Sequence, residues 1–295
     1  MSFDRRLLSK TLSKIASASV DDILSTAAVD VARHAHVIGI TGSPGAGKST
    51  LIGKLAARRL LTAQSVAIIA IDPTSPRSEG SVLGDRIRMG ELAEDPRVFI
   101  RSLPSRSSED GLTENVAEII AALDRFEFAE VIIETVGAGQ TAYGVRAMAD
   151  VEVLVLTPGA GDYVQAMKAG IMETADVYVV NKCDQPAASR VVSELMGVLP
   201  AAPGEKSPII IQTRFDDDSG VVELSNTLDR LLSRPSAPEQ LAVRARMRRQ
   251  YRLQKLIQRR LHEIVNSLPE DCWTKPLLET YQLVIRDLTA KKPQL

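Results

Sequence analysis

The most constraining feature of this chain is VIGITGSPGAGKST, an apolar run leading into a glycine-rich turn at residues 37–50. Gly42-Ser43-Pro44-Gly45-Ala46-Gly47-Lys48-Ser49 satisfies G-x-x-x-x-G-K-[ST], with a strand pattern before it and a helical pattern (LIGKLAARRLL) after it. That context is what a phosphate-binding loop requires. Glycines let backbone N–H groups converge on phosphate oxygens, and a helix starting near Gly47 adds its positive dipole end. Lys48 is then the cation for the β- and γ-phosphates and Ser49 the hydroxyl for Mg²⁺, with Thr50 a lesser candidate for an α-phosphate contact. The bland alternative is a strand–helix turn without a ligand, and the complete motif in this setting argues against it.

The pattern around the loop is that of a doubly wound α/β chain. Seven short β-branched runs read as strands: 37–41, 66–71, 98–100, 131–136, 151–156, 177–181 and 208–213. Most are apolar almost throughout, and helical stretches alternate with them, which predicts a mostly parallel sheet covered on both faces. Residues 3–34 read as helix from the spacing of Leu7, Leu8, Ile15, Ile23, Leu24 and Val31. SRPSAPE at 233–239 reads as a break. The expected organisation is an N-terminal helical extension (1–35), a P-loop domain (36–234) and a C-terminal helical arm (239–295). In that arm Leu253, Ile257, Leu261, Ile264 and Val265 form an apolar stripe. Arg244, Arg246, Arg248, Arg249, Arg252, Lys255, Arg259 and Arg260 occupy its other faces. These basic residues read as the solvated face of a docked helix, with a dimer arm or an acidic-partner surface as alternatives.

Composition narrows the class. Lys and Arg total 36 against 37 Asp and Glu, so the basic excess of a dedicated nucleic-acid binder is missing. No apolar run reaches membrane-span length, and the amino terminus lacks the apolar core of a secretory signal. The two cysteines, Cys183 and Cys272, have no partner spacing, and the expectation is a cytoplasmic protein.

Asn181-Lys182-Cys183-Asp184 ends another apolar run. A carboxylate there can accept from both the N1–H and the N2 amino group of guanine, whereas adenine offers no such donor pair. Asn181 would tie this loop to the phosphate loop, and the Lys182 stem would cover the face of the base. GTP is favoured over ATP. Asp72 and Glu134 end strand patterns and Asp85 lies in GSVLGDRIRM; each is a candidate to hold or orient Mg²⁺ or its waters, against helix-cap and exposed-surface alternatives.

Taken in order, TGSPGAGKST, IDPTSPRSEGSVLGDRIRM, FIRSLPSR, ETVGAGQ and PGAGDYVQAMKAGIMETADVYVVNKCD resemble the MeaB/ArgK family of P-loop GTPases, chaperones of adenosylcobalamin-dependent acyl-CoA mutases. The resemblance implies a fold of the signal-recognition-particle and nitrogenase-iron-protein class, usually a homodimer. It implies GTP/GDP and Mg²⁺ as ligands, with adenosylcobalamin involved only through the partner mutase. GTP hydrolysis would gate cofactor delivery and protect the mutase. It assigns Lys48, Ser49, Asp72, Asp85 and Glu134 to the Mg·GTP site, and Asn181, Lys182 and Asp184 to the base. Asp162 and Lys168 match a switch that reports on the partner, and Gln140 is a candidate to position the attacking water.

The chain departs from the family at Asp110-Gly111, where Gly-Gly is usual, and in the preceding Ser107-Ser108-Glu109. It departs again at Thr213-Arg214, the last base-site element, and in the FDDDSG that follows. These differences suggest a mutase with a substrate other than methylmalonyl-CoA. A nickel-insertion GTPase is the main alternative, but His34, His36 and His262 are the only histidines and form no metal-collecting segment. A GTP-gated binding module with negligible hydrolysis is the other, since no in-chain arginine finger or general base is evident.

Overall fold

The computed structural model describes residues 3–26, 34–72, 90–104, 112–135, 142–158, 175–202, 207–235 and 237–290. Its centre is a seven-stranded sheet. In chain order the strands are β1 (His36–Gly42), β2 (Val66–Asp72), β3 (Val98–Pro104), β4 (Glu130–Thr135), β5 (Val151–Leu156), β6 (Val177–Asn181) and β7 (Ile210–Thr213). Their spatial order is β3-β2-β4-β1-β5-β6-β7, and every pairing is parallel. All seven strand patterns read from the sequence are therefore strands. β1 lies at the middle of the sheet, between β4 and β5, so the turn that follows it opens at the centre of the carboxyl edge, where open α/β sheets collect ligands.

Successive side chains of a strand point to opposite faces, and the core divides accordingly. Val37, Ile69, Ile71, Val131 and Ile133 pack on one face with helices α1 (Arg5–Ser17), α5 (Val116–Arg125) and α6 (Ala142–Met148). Ile38, Ile40, Ile68, Ile132, Val153, Val155 and Val179 pack on the other, against α3 (Lys48–Arg59) and α8 (Ser219–Leu232). On β5 and β6 the first face continues as Leu154, Leu156, Tyr178 and Val180, covered by α7 (Ala188–Val198). Each such aliphatic side chain contributes about 1.5–3 kcal/mol by burial, and the two-sided burial is why the strands read as continuous apolar runs. α4 (Gly90–Glu94) leads into β3.

The amino-terminal helical pattern is not one helix. It breaks after Ser17, where Ala18 is extended (φ -65°, ψ 139°), and α2 (Val20–Thr26) begins afresh. Ser19 starts α2 reciprocally: its backbone N–H and hydroxyl donate to the Asp22 carboxylate (3.0 and 2.7 Å), while the Asp22 N–H donates back to the Ser19 hydroxyl (3.2 Å). A capping serine inside an apolar period stops one helix and starts the next. Residues 27–33 lie outside the described residues.

The tail also corrects the sequence reading. α9 (Pro238–Asn266) has proline in its first turn, and a 3₁₀ turn (Glu270–Thr274) leads to α10 (Leu277–Ala290). Of the expected apolar stripe only Ile264 is buried, and Leu253 and Ile257 are exposed; Tyr251 is the other buried side chain of α9. Several arginines, by contrast, turn inward. Arg252 Nε donates to Glu118 (2.7 Å), Arg259 to Asn115 (2.7 Å) and Arg260 to Asp21 (3.0 Å). α9 is thus held by its arginines, which bond to Asp21 on α2, Glu118 on α5 and Asn115 just before α5, while Tyr251 joins the apolar core. No helix among the described residues is long and apolar enough to cross a membrane.

Candidate nucleotide site

The carboxyl ends of β1, β4, β6 and β7 carry the site. After Gly42 the chain turns through residues 43–47 and enters α3 at Lys48. Gly47 sits in the left-handed region (φ +84°), and a Cβ there would lie 2.4 Å from Asn181 Nδ2. Gly42 (φ +151°) passes so close to β5 that a Cβ would stand 2.3 Å from the Val155 carbonyl oxygen. Only glycine allows the loop to thread between its neighbours at these two points. Pro44, Gly45 and Thr50 are exposed, whereas Ser43 and Ala46 are buried.

Lys48 is buried (5% exposed), and its ammonium donates to the carbonyls of Gly42 (2.8 Å) and Ser43 (3.0 Å). This holds a full positive charge inside the turn, at the amino end of α3 where the helix dipole has the same sign. An anion approaching the loop meets both.

Ser49 and Glu134 meet directly. The Ser49 hydroxyl donates to Glu134 Oε1 at 2.8 Å, and Glu134 is buried at the end of β4. Around them the hydroxyls of Thr41, Ser43 and Thr135 are buried without a hydrogen-bond partner among the described residues. Buried polar oxygens of this kind normally find a partner. An all-oxygen set suits a hard cation that keeps several waters, so these residues fit Mg²⁺ and its hydration shell. Asp72 ends β2 opposite Pro104, at the same sheet edge; its side chain lies outside the described residues. So do Asp85, Gln140, Asp162 and Lys168, together with the acidic stretch at 107–110.

The base loop is tied to the phosphate loop at two points. Asn181 Nδ2 donates to the Ala46 carbonyl (2.8 Å), and the Lys182 ammonium donates to the Gly45 carbonyl (2.9 Å). Lys182 itself takes left-handed backbone (φ +57°), an uncommon state for a side-chain-bearing residue that costs of order 1–3 kcal/mol. Thr213, buried at the end of β7, donates its hydroxyl to Asn181 Oδ1 (3.0 Å), and its carbonyl accepts from the Cys183 N–H (3.0 Å). Asp184 is left exposed at the turn, its carboxylate open to a ligand. Of the residues singled out from sequence, Lys48, Ser49, Glu134, Asn181, Lys182 and Thr213 thus form one bonded constellation with Gly42–Gly47.

Sequence reasoning passed over the segment beyond Thr213 as a contributor to this constellation, noting it only as a departure, and it passed over Lys54. Lys54, on α3, donates to the Phe215 carbonyl and pairs with Asp218 at 2.7 Å. Asp217 accepts from both the backbone N–H and the hydroxyl of Ser219 (2.8 and 2.9 Å), which hold its carboxyl below the usual carboxylate range. No periodicity marks such a lysine, since a cation on an exposed helix turn is ordinary.

Comparison with known proteins agrees with this geometry. A Pyrococcus horikoshii protein described as a GTPase is 41% identical over 228 residues, which cover 75% of this chain and 72% of that one. The mouse methylmalonic aciduria type A homolog, described as mitochondrial, is 32% identical over 250 residues, 82% of this chain and 60% of that one. Another GTPase, from Mycobacterium tuberculosis, is 36% identical over 204 residues and is likewise spanned over 60% of its length. The solved structure of a LAO/AO transport system kinase shares the fold, with a TM-score of 0.61 at 23% identity over 97% of this chain and 93% of that one. Residues 9–270 match the family described as Methylmalonyl Co-A mutase-associated GTPase MeaB. With its phosphate loop, buried lysine and N-K-x-D turn bonded into one site, the chain belongs to the MeaB family of P-loop GTPases.

Proposed function

We propose that this protein is a Mg²⁺-dependent GTPase serving as chaperone to an adenosylcobalamin-dependent acyl-CoA mutase, in which hydrolysis gates cofactor delivery and protects or reactivates the mutase. The observation that carries the nucleotide half is the bonded path from Ala46 through Asn181 to Thr213, which holds a base-reading turn against a phosphate loop. Lys48 neutralises the β- and γ-phosphates, and the amides of residues 43–49 cradle them, with Thr50 beside the α-phosphate. Ser49 ligates the metal, while Glu134, Asp72 and Asp85 hold it or its waters. Bound there, Mg²⁺ would supply charge neutralisation to the β- and γ-phosphates. Asp184 reads the guanine N1–H and N2 groups, Lys182 covers the base, and Asn181 and Thr213 fix the turn. Gln140 orients the attacking water, and Lys168 reports on the partner.

The mutase half is supported by the family and by the relationship to methylmalonic aciduria type A homologs. The departures at Asp110 and Arg214 argue for an acyl-CoA substrate other than methylmalonyl-CoA. A cytoplasmic homodimer is part of the reading. Trp273, Leu277, Leu278 and Tyr281 are exposed at the end of the C-terminal helical arm, and a second copy would cover this apolar surface.

GTP turnover by the purified protein, alone and with a panel of adenosylcobalamin-dependent mutases, tests the proposal, with ATP and Lys48→Ala as controls. Slow GTP hydrolysis accelerated by one mutase is the expected result. Turnover that no mutase changes would refute the chaperone role and leave nickel-centre assembly as the client chemistry. Stimulation by methylmalonyl-CoA mutase and no other would overturn the substrate assignment.

A further inference from the structure

α9 is 29 residues long, yet only its Tyr251 and Ile264 are buried. A helix that buries so little apolar surface is held largely by polar bonds, and these follow one line across the body. Arg248 pairs with Asp150 at 3.9 Å, and Arg252 Nε donates to Glu118 at 2.7 Å. Arg259 donates to Asn115 at 2.7 Å and pairs with Glu114 at 3.6 Å. Beyond them Arg260 donates to Asp21, and Glu263 accepts from the Val20 N–H at 3.2 Å. Asp150 also accepts from the Val37 N–H at the start of β1, whereas Glu114 and Asn115 precede α5 on the way back from the end of β3. The helix therefore runs from the amino edge of the sheet to its carboxyl edge, about 16 Å from Arg248 to Arg259 at the usual helical rise.

What lies beneath α9 leads to the nucleotide site. α6 is the next described helix after β4, whose end carries Glu134 and its bond to Ser49. α9 packs on α6 directly, and Tyr251 shares an apolar cluster with Val145 and Met148. α6 in turn lies hard against the strand that enters the phosphate loop. Gly39 of β1 leaves no room for a side chain, since a Cβ there would stand 2.2 Å from Val145 Cγ1. Close-packed contacts transmit displacement, so the seating of α6 bears on Glu134 and on β1 together. The bonds that hold α9 are of a different kind. Ion pairs near a surface are individually weak and screened by salt, which lets such a helix open locally while the sheet stays folded.

We propose that α9 is a strap whose docking across α5 and α6 is coupled to nucleotide occupancy. Docked, it seats α6 against β1 and so favours the binding form of the site; a nucleotide bound at the site in turn holds the strap down. The inference rests on the guanine-nucleotide reading above and goes beyond it in assigning a regulatory role to the row of body-facing arginines. Coupling of this kind is reciprocal: whatever factor the nucleotide adds to docking, docking adds to nucleotide affinity.

Amide hydrogen exchange of the full-length protein, with and without saturating GDP and Mg²⁺, reads the strap directly over residues 248–260. These amides are expected to exchange faster than those of β1, which marks local opening, and GDP is expected to slow them about tenfold. The double variant Arg252→Gln with Arg259→Gln alters no residue of the nucleotide site. It should exchange faster over the same segment and bind GDP more weakly, by up to the same factor, with the preference for GDP over ADP unchanged. Exchanging the charges of one pair, Arg252→Glu with Glu118→Arg, should return both readings toward wild type. Strap amides that exchange only with the sheet, or at one rate with and without GDP, overturn the proposal without recourse to any variant. So does a variant whose strap opens while its GDP affinity stays within twofold of wild type, or a GDP effect that vanishes on tenfold dilution and therefore belongs to association of copies. A wild-type protein that binds ADP as well as GDP would instead overturn the guanine reading.

Discussion

Gly47 and Asn181 offer a test in which steric and conformational terms can be separated. An alanine Cβ at Gly47 would face nothing within 4 Å except the Asn181 carboxamide, with Nδ2 at 2.4 Å and Cγ at 3.7 Å. Left-handed backbone (φ +84°) costs a residue with a Cβ roughly 1–2 kcal/mol. Relieving the overlap also requires the carboxamide to leave, which breaks its bond to the buried Ala46 carbonyl at about 1–3 kcal/mol. Gly47→Ala should therefore destabilise the nucleotide-free protein by about 2–5 kcal/mol. In an Asn181→Ala background the carboxamide is already gone and only the conformational cost of roughly 1–2 kcal/mol remains. The coupling is about 1–3 kcal/mol, readable from urea unfolding of the four proteins in a double-mutant cycle. Additivity within about 0.5 kcal/mol would refute the packing of these two residues and, with it, the mechanical tie between the two loops.

Two further predictions follow from the body of the fold. Arg59, at the far end of α3, is buried, with Nε donating to Glu130 Oε2 at 2.9 Å and Nη1 bonded to the Ser225 carbonyl and Asp229. Arg59→Met should cost about 3–5 kcal/mol in unfolding because it strands the Glu130 carboxylate; adding Glu130→Leu should recover part of that, and a double variant worse than the single would contradict it. Asp217 tests the start of α8. Its carboxyl is lowered from 3.8, first by the Ser219 N–H and then by the Ser219 hydroxyl, so the stability it contributes is present above pH 3.8 and lost as pH falls through its folded value. The gap in denaturation midpoint between wild type and Asp217→Asn should accordingly be flat at neutral pH and close in strong acid; a gap that widens on acidification would contradict the assignment.

The sheet and the two loops were legible along the chain. Seven apolar runs are seven parallel strands because two-sided burial leaves a mark every few residues, and G-x-x-x-x-G-K-S after such a run leaves few local structures open. Asn181 could be expected to reach the phosphate loop because its place in N-K-x-D carries that role. The remaining features depend on which surfaces meet in the folded chain. The helix read over 3–34 breaks at Ala18, since the hydrogen bonds of Ser19 and Asp22 outweigh a continuing apolar period. The arginines of α9 look solvated in sequence, yet Arg252, Arg259 and Arg260 face the body, because Glu118, Asn115 and Asp21 lie on elements more than 130 residues away. Lys54 has no sequence signature at all: its partners arrive with the loop after β7, 161 and 164 residues later. Hydrophobic periodicity is local and is written along the chain, whereas the pairing of charges is set by the arrangement of elements and exists only once the sheet has brought them together.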